Sequence, residues 1–415
     1  MASPAAATRH PSPTVLASTP RHRLRLHRRG YPPSKLGYQT SRLKVNALFG
    51  WLRGDTAMRE LIPPAESYTL SGSASEVGAE PREVSISVAS SIMDIPAADW
   101  DACACDPADP EKFNPFLTHA FLSSLEESGS AVKETGWLPF HVVARDETGH
   151  IIGVVPLYLK SHSRGEFVFD QSWAEAYYSY GLEYYPKLQS CVPFTPVTGQ
   201  RILLRSTPYR DQVFDALIKG LKSLTTKMNV SSLHITFPSE GEFSKLKDNG
   251  LLQRIGLQYH WRNRNYKSFD EFLMDLKQPK RKNIRQERKK IPAQSLQMKR
   301  LRGDEIKSSH WDTFYKFYRN TTDNHWGRPY LTREFFHLLG EKMGGNVMLV
   351  VAENDDKVVA GALNLIGDPG FGAAIGNFLA RETAQVKHVI KVLHDSGPYK
   401  ENILKEFAPQ QDDEM

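Results

Sequence analysis

The chain has 415 residues, enough for two domains with extensions, and 40% of them are hydrophobic. No apolar run approaches the ~20 residues that a helix needs to span a bilayer, which excludes a helical membrane protein and predicts a soluble one. The three cysteines lack the partners and spacing of a disulfide framework or a zinc site, so we expect no metal centre.

The formal net charge of +6 originates in the N-terminal region. Residues 1–54 contain ten Lys or Arg residues and no Asp or Glu, which leaves 43 basic against 47 acidic residues, net −4, in the remainder. An Arg- and Ser-rich segment without acids is typical of an organelle transit peptide, and the initial Met-Ala-Ser favours a plastid. We therefore predict a transit peptide over 1–54 and a mature protein in the chloroplast stroma. A disordered basic tail that binds nucleic acid is the alternative.

The predicted first lobe begins after a short connection. Residues 55–83 are rich in Ser, Gly, Ala and Glu and predict a linker. Alternating hydrophobicity from Val84 to Val88 then predicts a strand, which opens a lobe that we expect over 84–264. Thr118 is placed to cap a helix.

Further elements of this lobe follow from short β-branched runs and turn residues. An antiparallel hairpin is predicted over 140–145 and 151–160, joined by an Asp/Gly-containing turn. Another strand is expected at 166–170, a helix near 211–227, and a strand at 232–237. This mixture of helices with antiparallel strands predicts an α+β, or mixed α/β, class.

Four sequence features of this lobe recur in the same order about 210 residues later. The matched pairs are Trp100 with Trp311, Leu117-Thr118 with Leu331-Thr332, Val143-Ala144 with Val351-Ala352, and Gly153 with Gly361. Repetition of this kind indicates a duplicated unit. We therefore predict a second, related lobe over 265–400, with a helix from Thr332 and a hairpin over 347–353 and 358–365, followed by a disordered tail over 401–415.

The second copy is shorter than the first. After Gly361 the chain has 54 residues left, whereas 108 residues separate Gly153 from Trp261. The apolar residues that keep helical spacing in this remainder include Phe371, Ile375, Phe378 and Leu379. We expect either that a long C-terminal helix covers the exposed hairpin face, or that this chain is an incomplete version of a longer one.

A strongly basic helix is predicted over 279–291. Arg281, Arg285 and Arg288 fall at i, i+4 and i+7, so three guanidinium groups share one face. Because Arg binds phosphate groups bidentately, this face is a candidate site for a nucleotide, a diphosphate or tRNA. A solvated basic face without a ligand is an equally good interpretation.

Aromatic residues cluster in two Gly/Pro-containing stretches. The candidate binding residues there are Tyr178, Tyr184 and Tyr185 in the first stretch, and Trp326 and Tyr330 in the second. Aromatic side chains in such loops often line pockets. Ordinary packing is the alternative for each ring.

Two residues are candidates for accepting an amine proton. Glu126 lies at the end of the first predicted helix, and His260 lies at the end of the first lobe beside Trp261, a further candidate binding residue. A purely structural role is the alternative for each of them. The sequence contains no Ser-His-Asp order, phosphate loop or metal motif.

Several of these stretches together resemble the FemAB-like family of peptidoglycan biosynthesis/recognition proteins, within the acyl-CoA N-acyltransferase (GNAT) superfamily. The stretches that carry the resemblance are Pro115–Gly129, Tyr184–Leu188, Val192–Gly199, Gln258–Trp261, Arg281–Arg288 and Trp326–Phe336. The resemblance implies tandem GNAT-like lobes. It also implies a plastid-type member in which part of the second lobe is missing, because Gly367 joins directly to Asp368.

This resemblance implies transfer of an acyl or aminoacyl group to an amine. The donor would be a coenzyme A thioester or an aminoacyl-tRNA, with Glu126 or His260 handling the proton and Arg281 and Arg285 holding phosphate. The diphosphate-binding loop motif of this superfamily is not recognisable in the sequence. Residues Thr198 to Arg201 match its pattern poorly. A catalytically inactive, shortened form that binds a phosphate-bearing ligand or RNA is the alternative.

Overall fold

The computed structural model describes residues 62–70, 82–105, 113–168, 170–256, 264–324, 328–367 and 378–381. Helices and mostly antiparallel strands alternate irregularly along these residues, so the predicted α+β class is confirmed. The predicted transit peptide (1–54) and C-terminal tail (401–415) lie outside the described residues.

Five antiparallel strands form the first sheet. In spatial order they are β1 (Glu66–Leu70), β2 (Arg82–Ala89), β4 (His141–Arg145), β5 (Ile151–Val155) and β8 (Leu203–Leu204). The linker prediction was wrong for β1, which lies within 55–83. Its main chain pairs with β2 and Leu70 is buried in the core, so contacts distant in sequence order a segment of linker-like composition.

A second sheet of four strands adjoins the first. Its order is β3 (Trp137–Pro139), β6 (Leu157–Lys160), β7 (Lys187–Ser190) and β9 (Leu233–Ile235), with β9 parallel to β7 and the other pairs antiparallel. The chain passes from the first sheet to the second at Pro156. Proline has no N–H to continue a ladder, so the single strand predicted over 151–160 is divided between two sheets.

In the part of the chain that the structure describes, five α-helices accompany these sheets. They are α1 (Ala97–Ala104), α2 (His119–Glu127), α3 (Gln171–Ser179), α4 (Arg210–Lys227) and α5 (Glu240–Asp248). The predicted cap of α2 is confirmed, because the Thr118 side chain accepts the N–H of Phe121. The strand predicted at 166–170 was wrong: the carboxylates of Glu166 and Asp170 bind the buried Lys187 and hold this segment as a loop before α3.

The described residues of the second half contain four α-helices and a third sheet. The helices are α6 (Phe269–Met274), α7 (Gln278–Lys290), α8 (Ser308–Asn324) and α9 (Arg333–Met343). The sheet is antiparallel, in the order β10 (Gln297–Arg302), β11 (Val347–Asn354), β12 (Lys357–Leu365) and β13 (Phe378–Arg381). The helix α7 confirms the predicted basic helix, and Thr332 caps α9 as Thr118 caps α2.

The strand β13 contradicts part of the predicted C-terminal helix. Phe378 and Leu379, which we placed on a helical stripe, belong to a strand that pairs with β12. Without this pairing, β12 would present a row of unpaired backbone groups at the edge of the sheet. The other residues of that predicted helix lie outside the described residues.

The two halves share a sequence of elements. Each has a tryptophan-bearing helix (α1 or α8), a threonine-capped helix (α2 or α9) and an antiparallel hairpin (β4–β5 or β11–β12). Each hairpin has an irregular register immediately after the matched alanine, Ala144 in one and Ala352 in the other.

The matched glycines of these hairpins are not equivalent in register. Gly153 lies opposite Ala144, whereas Gly361 lies opposite Val351, one position before Ala352. A one-residue shift turns a strand position to the other face of its sheet. Accordingly, a Cβ added at Gly153 would meet Leu204, whereas one at Gly361 would meet Phe314 of α8.

A shared core joins the halves. Helices α2 and α9 pack together, with the Phe121 ring edge-on to Phe335 at 5.9 Å between centroids. One continuous buried cluster includes Trp100 from the first half and Trp311 from the second. One of the hydrophobic clusters therefore spans both halves.

Among the described residues, no helix has the length and apolar character needed to cross a membrane. Cys103 and Cys191 are buried and Cys105 is half-buried, and all three are free thiols. Burial raises the pKa of the Cys103 thiol to about 11.

Candidate functional site

One face of the second sheet carries buried polar side chains, where apolar side chains would be expected. Tyr158 and Lys160 of β6 lie directly opposite Gln189 and Lys187 of β7, so all four side chains share one face of the sheet. Each of the four is fully buried. We call this set of four residues the polar face.

Lys187 is the most strongly bonded group of the polar face. Its Nζ donates to Glu166 Oε2 and Asp170 Oδ2, each at 2.8 Å, and to Ser163 Oγ at 2.8 Å. Burial alone would raise the pKa of Asp170, but the hydrogen bond and charge of Lys187 outweigh it and lower that pKa. Lys187 therefore neutralises two carboxylates that reach down from the loop before α3.

Lys160 has a different environment from its neighbour. Its Nζ lies 3.2 Å from the centre of the Trp137 ring and 3.9 Å from Glu166 Oε1. Burial lowers the pKa of Lys160 well below its usual value, although the charge of Glu166 opposes this shift. Burial also raises the pKa of Glu166. For both groups burial thus outweighs the attraction between them, and it disfavours the charged form of each.

Two of the predicted tyrosines lie beside this cluster. The Tyr184 hydroxyl donates to Asp170 Oδ2 at 2.7 Å, and Tyr185 shares a 2.7 Å hydrogen bond with Ser163. Burial raises the pKa of Tyr184 and Tyr185. Tyr178 is half-buried near the end of α3.

The lysines and carboxylates beside these tyrosines were missed at the sequence level. One signal was available: Lys160 and Lys187 each adjoin apolar residues in short strands, where a lysine is unusual. Glu166 and Asp170 carried no such signal, because only the fold brings their loop over the sheet.

Glu126 belongs to a separate buried group. Its Oε1 receives a 2.7 Å hydrogen bond from His141 Nε2, and its Oε2 receives bonds from Ser91 Oγ at 2.8 Å and from the Ile92 N–H at 3.1 Å. His141 Nδ1 accepts the N–H of Leu157, which leaves Nε2 as the ring donor. These contacts tie α2 to the chain before α1 and to the start of β4.

The polar face and the Glu126 group are linked through aromatic rings. The Tyr158 ring meets His141 edge-on at 5.3 Å and Trp137 at 5.4 Å. A continuous row of polar and aromatic side chains therefore runs from Glu126 to Lys187 through the interior of the first half.

The three predicted arginines of α7 do share a face, and that face lies against α6. Arg281 donates to the Met274 carbonyl at 3.2 Å, Arg285 pairs with Asp270 at 2.9 Å, and the Arg288 guanidinium lies 4.0 Å from the centre of the Phe269 ring. The two helices have their own small core, in which Ile284 packs against α6. The arginines thus hold a helical hairpin together.

A groove of about 490 Å³ runs along α7 beside these arginines. The residues that line it are Met274, Gln278, Arg281, Lys282, Arg285, Gln286 and Lys289. Lys282 and Lys289 are exposed. Four cationic and two amide side chains in one groove can bind phosphate oxygens by charge and by hydrogen bonds. We call this the cationic groove.

Tyr330 lies at the junction of the two halves. Its ring stacks on Phe194 of the first half, with centroids 5.2 Å apart and planes 13° from parallel. Phe194 has a φ of +61°, a strained conformation for a bulky residue. The other predicted site residues, His260, Trp261 and Trp326, lie outside the described residues.

The loop at 198–202 does not fit the diphosphate of coenzyme A. The carboxylate of Glu242 accepts the backbone N–H groups of Arg201, at 2.9 and 3.0 Å, and of Ile202, at 2.7 Å. Diphosphates are commonly bound by such loop amides. Here both amides already bind an internal anion at the start of α5.

No group of three or more His, Cys, Asp or Glu side chains that could hold a metal ion occurs in the described part of the chain.

A family model, FemAB-like and described as peptidoglycan biosynthesis/recognition, matches residues 91–368, more than half of the chain. A search of the curated proteins finds no match. The matched range includes the polar face, the cationic groove and the core that joins the two halves. The chain therefore belongs to the FemAB-like family.

Proposed function

We propose that this protein transfers an acyl group, of the aminoacyl kind, from a phosphate-bearing donor to an amine. Membership of a family described by peptidoglycan biosynthesis supports the transfer of amino-acid units. The observation that carries the proposal is the cationic groove, whose lysines and arginines suit the phosphates of the donor.

The donor that fits best is an aminoacyl ester of tRNA. Glu242 occupies the loop amides at 198–202, which disfavours a coenzyme A thioester there. A helix with exposed Lys282 and Lys289 suits an extended phosphate backbone, where several weak contacts add up. Arg281 and Arg285 reinforce the groove while they hold the hairpin.

The proton of the attacking amine requires an acceptor. Glu126 is already bonded to His141, Ser91 and Ile92, so we assign it the role of positioning α2. His260 keeps the proton-accepting role predicted from the sequence. Tyr330, at the junction of the halves, is proposed to contact the substrate, as is Trp326, which lies outside the described residues.

The donor assignment is tested by binding of aminoacyl-tRNA across a salt series. We expect log K to fall with log salt by about 0.7–0.9 for each phosphate contact. The double variant K282Q/K289Q should bind aminoacyl-tRNA more weakly, and the magnitude of its slope should be smaller by about 1–2. The control variant K219Q/K247Q, which removes two exposed lysines on α4 and α5, should bind as wild type. A shallow slope, or equal slopes in the two double variants, would contradict a tRNA donor.

Transfer itself is tested by following a labelled aminoacyl group from tRNA to added primary amines, with acetyl coenzyme A as the second donor. Product from the tRNA donor supports the proposal. Binding without transfer would instead make the chain a binding module, as in the alternative drawn from the sequence.

We also propose that the two halves are GNAT-type lobes in a plastid protein, and that this form lacks part of the second lobe. The shared order of helices and hairpins supports the duplication. Equal transfer by this chain and by a form with residues inserted between Gly367 and Asp368 would refute a loss of function through shortening.

A further inference from the structure

The polar face and the carboxylates above it contain buried atoms with unfilled hydrogen-bonding capacity. Within the described residues, these atoms without a hydrogen bond are Lys160 Nζ, Tyr158 OH, Gln189 Oε1, Glu166 Oε1 and Asp170 Oδ1. Leaving one such atom unsatisfied costs about 1–3 kcal/mol, and native proteins contain few of them. Five together indicate that something else completes this surface.

The unfilled atoms are of two chemical kinds, and donors lie next to acceptors: Lys160 Nζ is 3.9 Å from Glu166 Oε1, and Tyr158 is opposite Gln189. The donors, Lys160 and Tyr158, are two residues apart on β6 and point the same way. The acceptors belong to Gln189 on the neighbouring strand and to Glu166 and Asp170 in the loop above it. A ligand that completes both kinds must accept hydrogen bonds from the donors and donate hydrogen bonds to the acceptors.

We propose that the polar face binds an α-amino acid zwitterion, with its carboxylate towards Lys160 and Tyr158 and its ammonium towards Glu166, Asp170 and Gln189. Binding is independent of the function proposed above. Only the role of this ligand, as the amine that accepts the acyl group, rests on that proposal.

Charge balance favours a zwitterion over a simple ion. In their charged forms, Lys160 and Lys187 together balance Glu166 and Asp170, so the cluster is neutral. A zwitterion preserves this neutrality. A bound anion or cation would leave an uncompensated charge in the interior, at a cost of several kcal/mol.

Half-buried polar side chains border the polar face on one side. Gln189 lies opposite His234 of β9, and His234, Ser163 and Tyr185 are all half-buried, in contrast to the fully buried lysines. We call these three polar side chains the rim, and we infer that the proposed ligand enters beside them. Within the rim, Ser163 Oγ is hydrogen-bonded to both the Tyr185 hydroxyl and Lys187 Nζ.

The test titrates the full chain with L-alanine and follows the fluorescence of Trp137, which lies against Lys160 Nζ. The W137F variant isolates this signal from that of the other tryptophans. We expect a saturable change with L-alanine. Propionate, which lacks the ammonium, and ethylamine, which lacks the carboxylate, should each bind about 10–100-fold more weakly, because each loses one set of charge-assisted hydrogen bonds.

Two variants and a control locate the site. K160M and Y158F should each weaken L-alanine binding about tenfold or more, whereas K219M, which removes an exposed lysine of α4, should bind as wild type. Far-UV circular dichroism verifies that each variant is folded. If K160M is unfolded, binding by Y158F still tests the proposed site.

Three results would overturn the proposal: no saturable response to L-alanine, equal affinity for propionate, or unchanged affinity in both K160M and Y158F. The first would mean that water completes the polar face, and the second that it is a simple anion site. Because no donor is needed, L-alanine binding without any acyl transfer would uphold this inference while refuting the proposed function.

Discussion

Lys160 and Lys187 are equally buried on adjacent strands, but their side-chain amines have different partners. Lys187 Nζ has three hydrogen-bond partners, two of them carboxylates, whereas Lys160 Nζ meets an aromatic ring and a carboxylate at 3.9 Å. Burial of a charge is compensated in the first case and only weakly in the second. The two lysines are therefore equally exposed, but we expect them to contribute differently to the stability of the fold.

We predict that K187M lowers the free energy of unfolding by about 3–5 kcal/mol, because Glu166 and Asp170 would remain as buried charges without a cation. K160M should change it by no more than about 1 kcal/mol, since Met fills the same space without a charge to bury. Urea denaturation measures both. K245M, which breaks an exposed pair with Asp211, is the surface control and should cost less than about 1 kcal/mol. Equal losses in K187M and K160M would contradict this assignment.

Acid should destabilise the region around the polar face through two histidines, His162 and His234. Burial, together with Lys160 and Arg164, lowers the pKa of His162 to about 3, and burial with Lys187 lowers that of His234 to about 4. In the unfolded chain both histidines bind protons near their ordinary pKa of 6.5. Between these pH values the unfolded state holds more protons, so stability falls as the pH falls.

From pH 7 to pH 5, we expect each of these histidines to remove about 1–2 kcal/mol from the free energy of unfolding. The double variant H162Q/H234Q should lose correspondingly less over this range, because glutamine does not titrate. Urea titrations at the two pH values measure the difference. Parallel losses in wild type and variant would show that other groups are responsible.

At the scale of elements, the hairpin α6–α7 is a nearly self-contained unit. Its apolar cluster, which includes Ile284, Phe269 and Leu273, is separate from the large clusters under the sheets. Such a unit can open without unfolding the rest of the chain.

We predict that I284A opens this hairpin locally. Removing the branched side chain should cost about 2–5 kcal/mol within its small core, so amide hydrogens of α7 should exchange at least tenfold faster, with β4 and β5 unaffected. The matched control is I218A in α4, which belongs to the core under the first sheet and should weaken protection in β4 and β5. Hydrogen exchange read by mass spectrometry distinguishes the two; faster exchange throughout the chain in I284A would contradict local opening.

The hairpins of the two halves show what a sequence repeat can and cannot specify. The alternation and turn residues predicted both hairpins, and both are present. The register could not be read from the pattern. Gly153 and Gly361 match in sequence and yet face different neighbours, because one residue of offset reverses a strand's faces.

At the scale of the whole molecule, one core spans both halves, so the chain should unfold as a unit. Phe335 of α9 contacts Phe121 of α2 across the junction. We predict that F335A lowers the free energy of unfolding by about 3–5 kcal/mol and retains a single transition. Curves from far-UV circular dichroism and tryptophan fluorescence should coincide. Two separate transitions, with one half unchanged, would mean that the halves fold independently.

The sequence by itself determined the local elements and the family resemblance. Threonine caps, apolar spacing and turn residues placed α2, α7, α9 and both hairpins, since these signals act over a few residues. The basic face of α7 and the tyrosines beside Pro186 were also visible as candidate site residues.

Only the tertiary structure decided what those residues contact. It turned Arg281, Arg285 and Arg288 towards α6, gave Glu126 three donors, and brought the loop with Glu166 and Asp170 over two buried lysines. The physical reason is that the partners lie on different elements, 7 to 35 residues apart in these pairs, and periodicity carries no information about which side chains of two elements meet. The placement of β13 beside β12, in a segment with helical spacing, has the same origin.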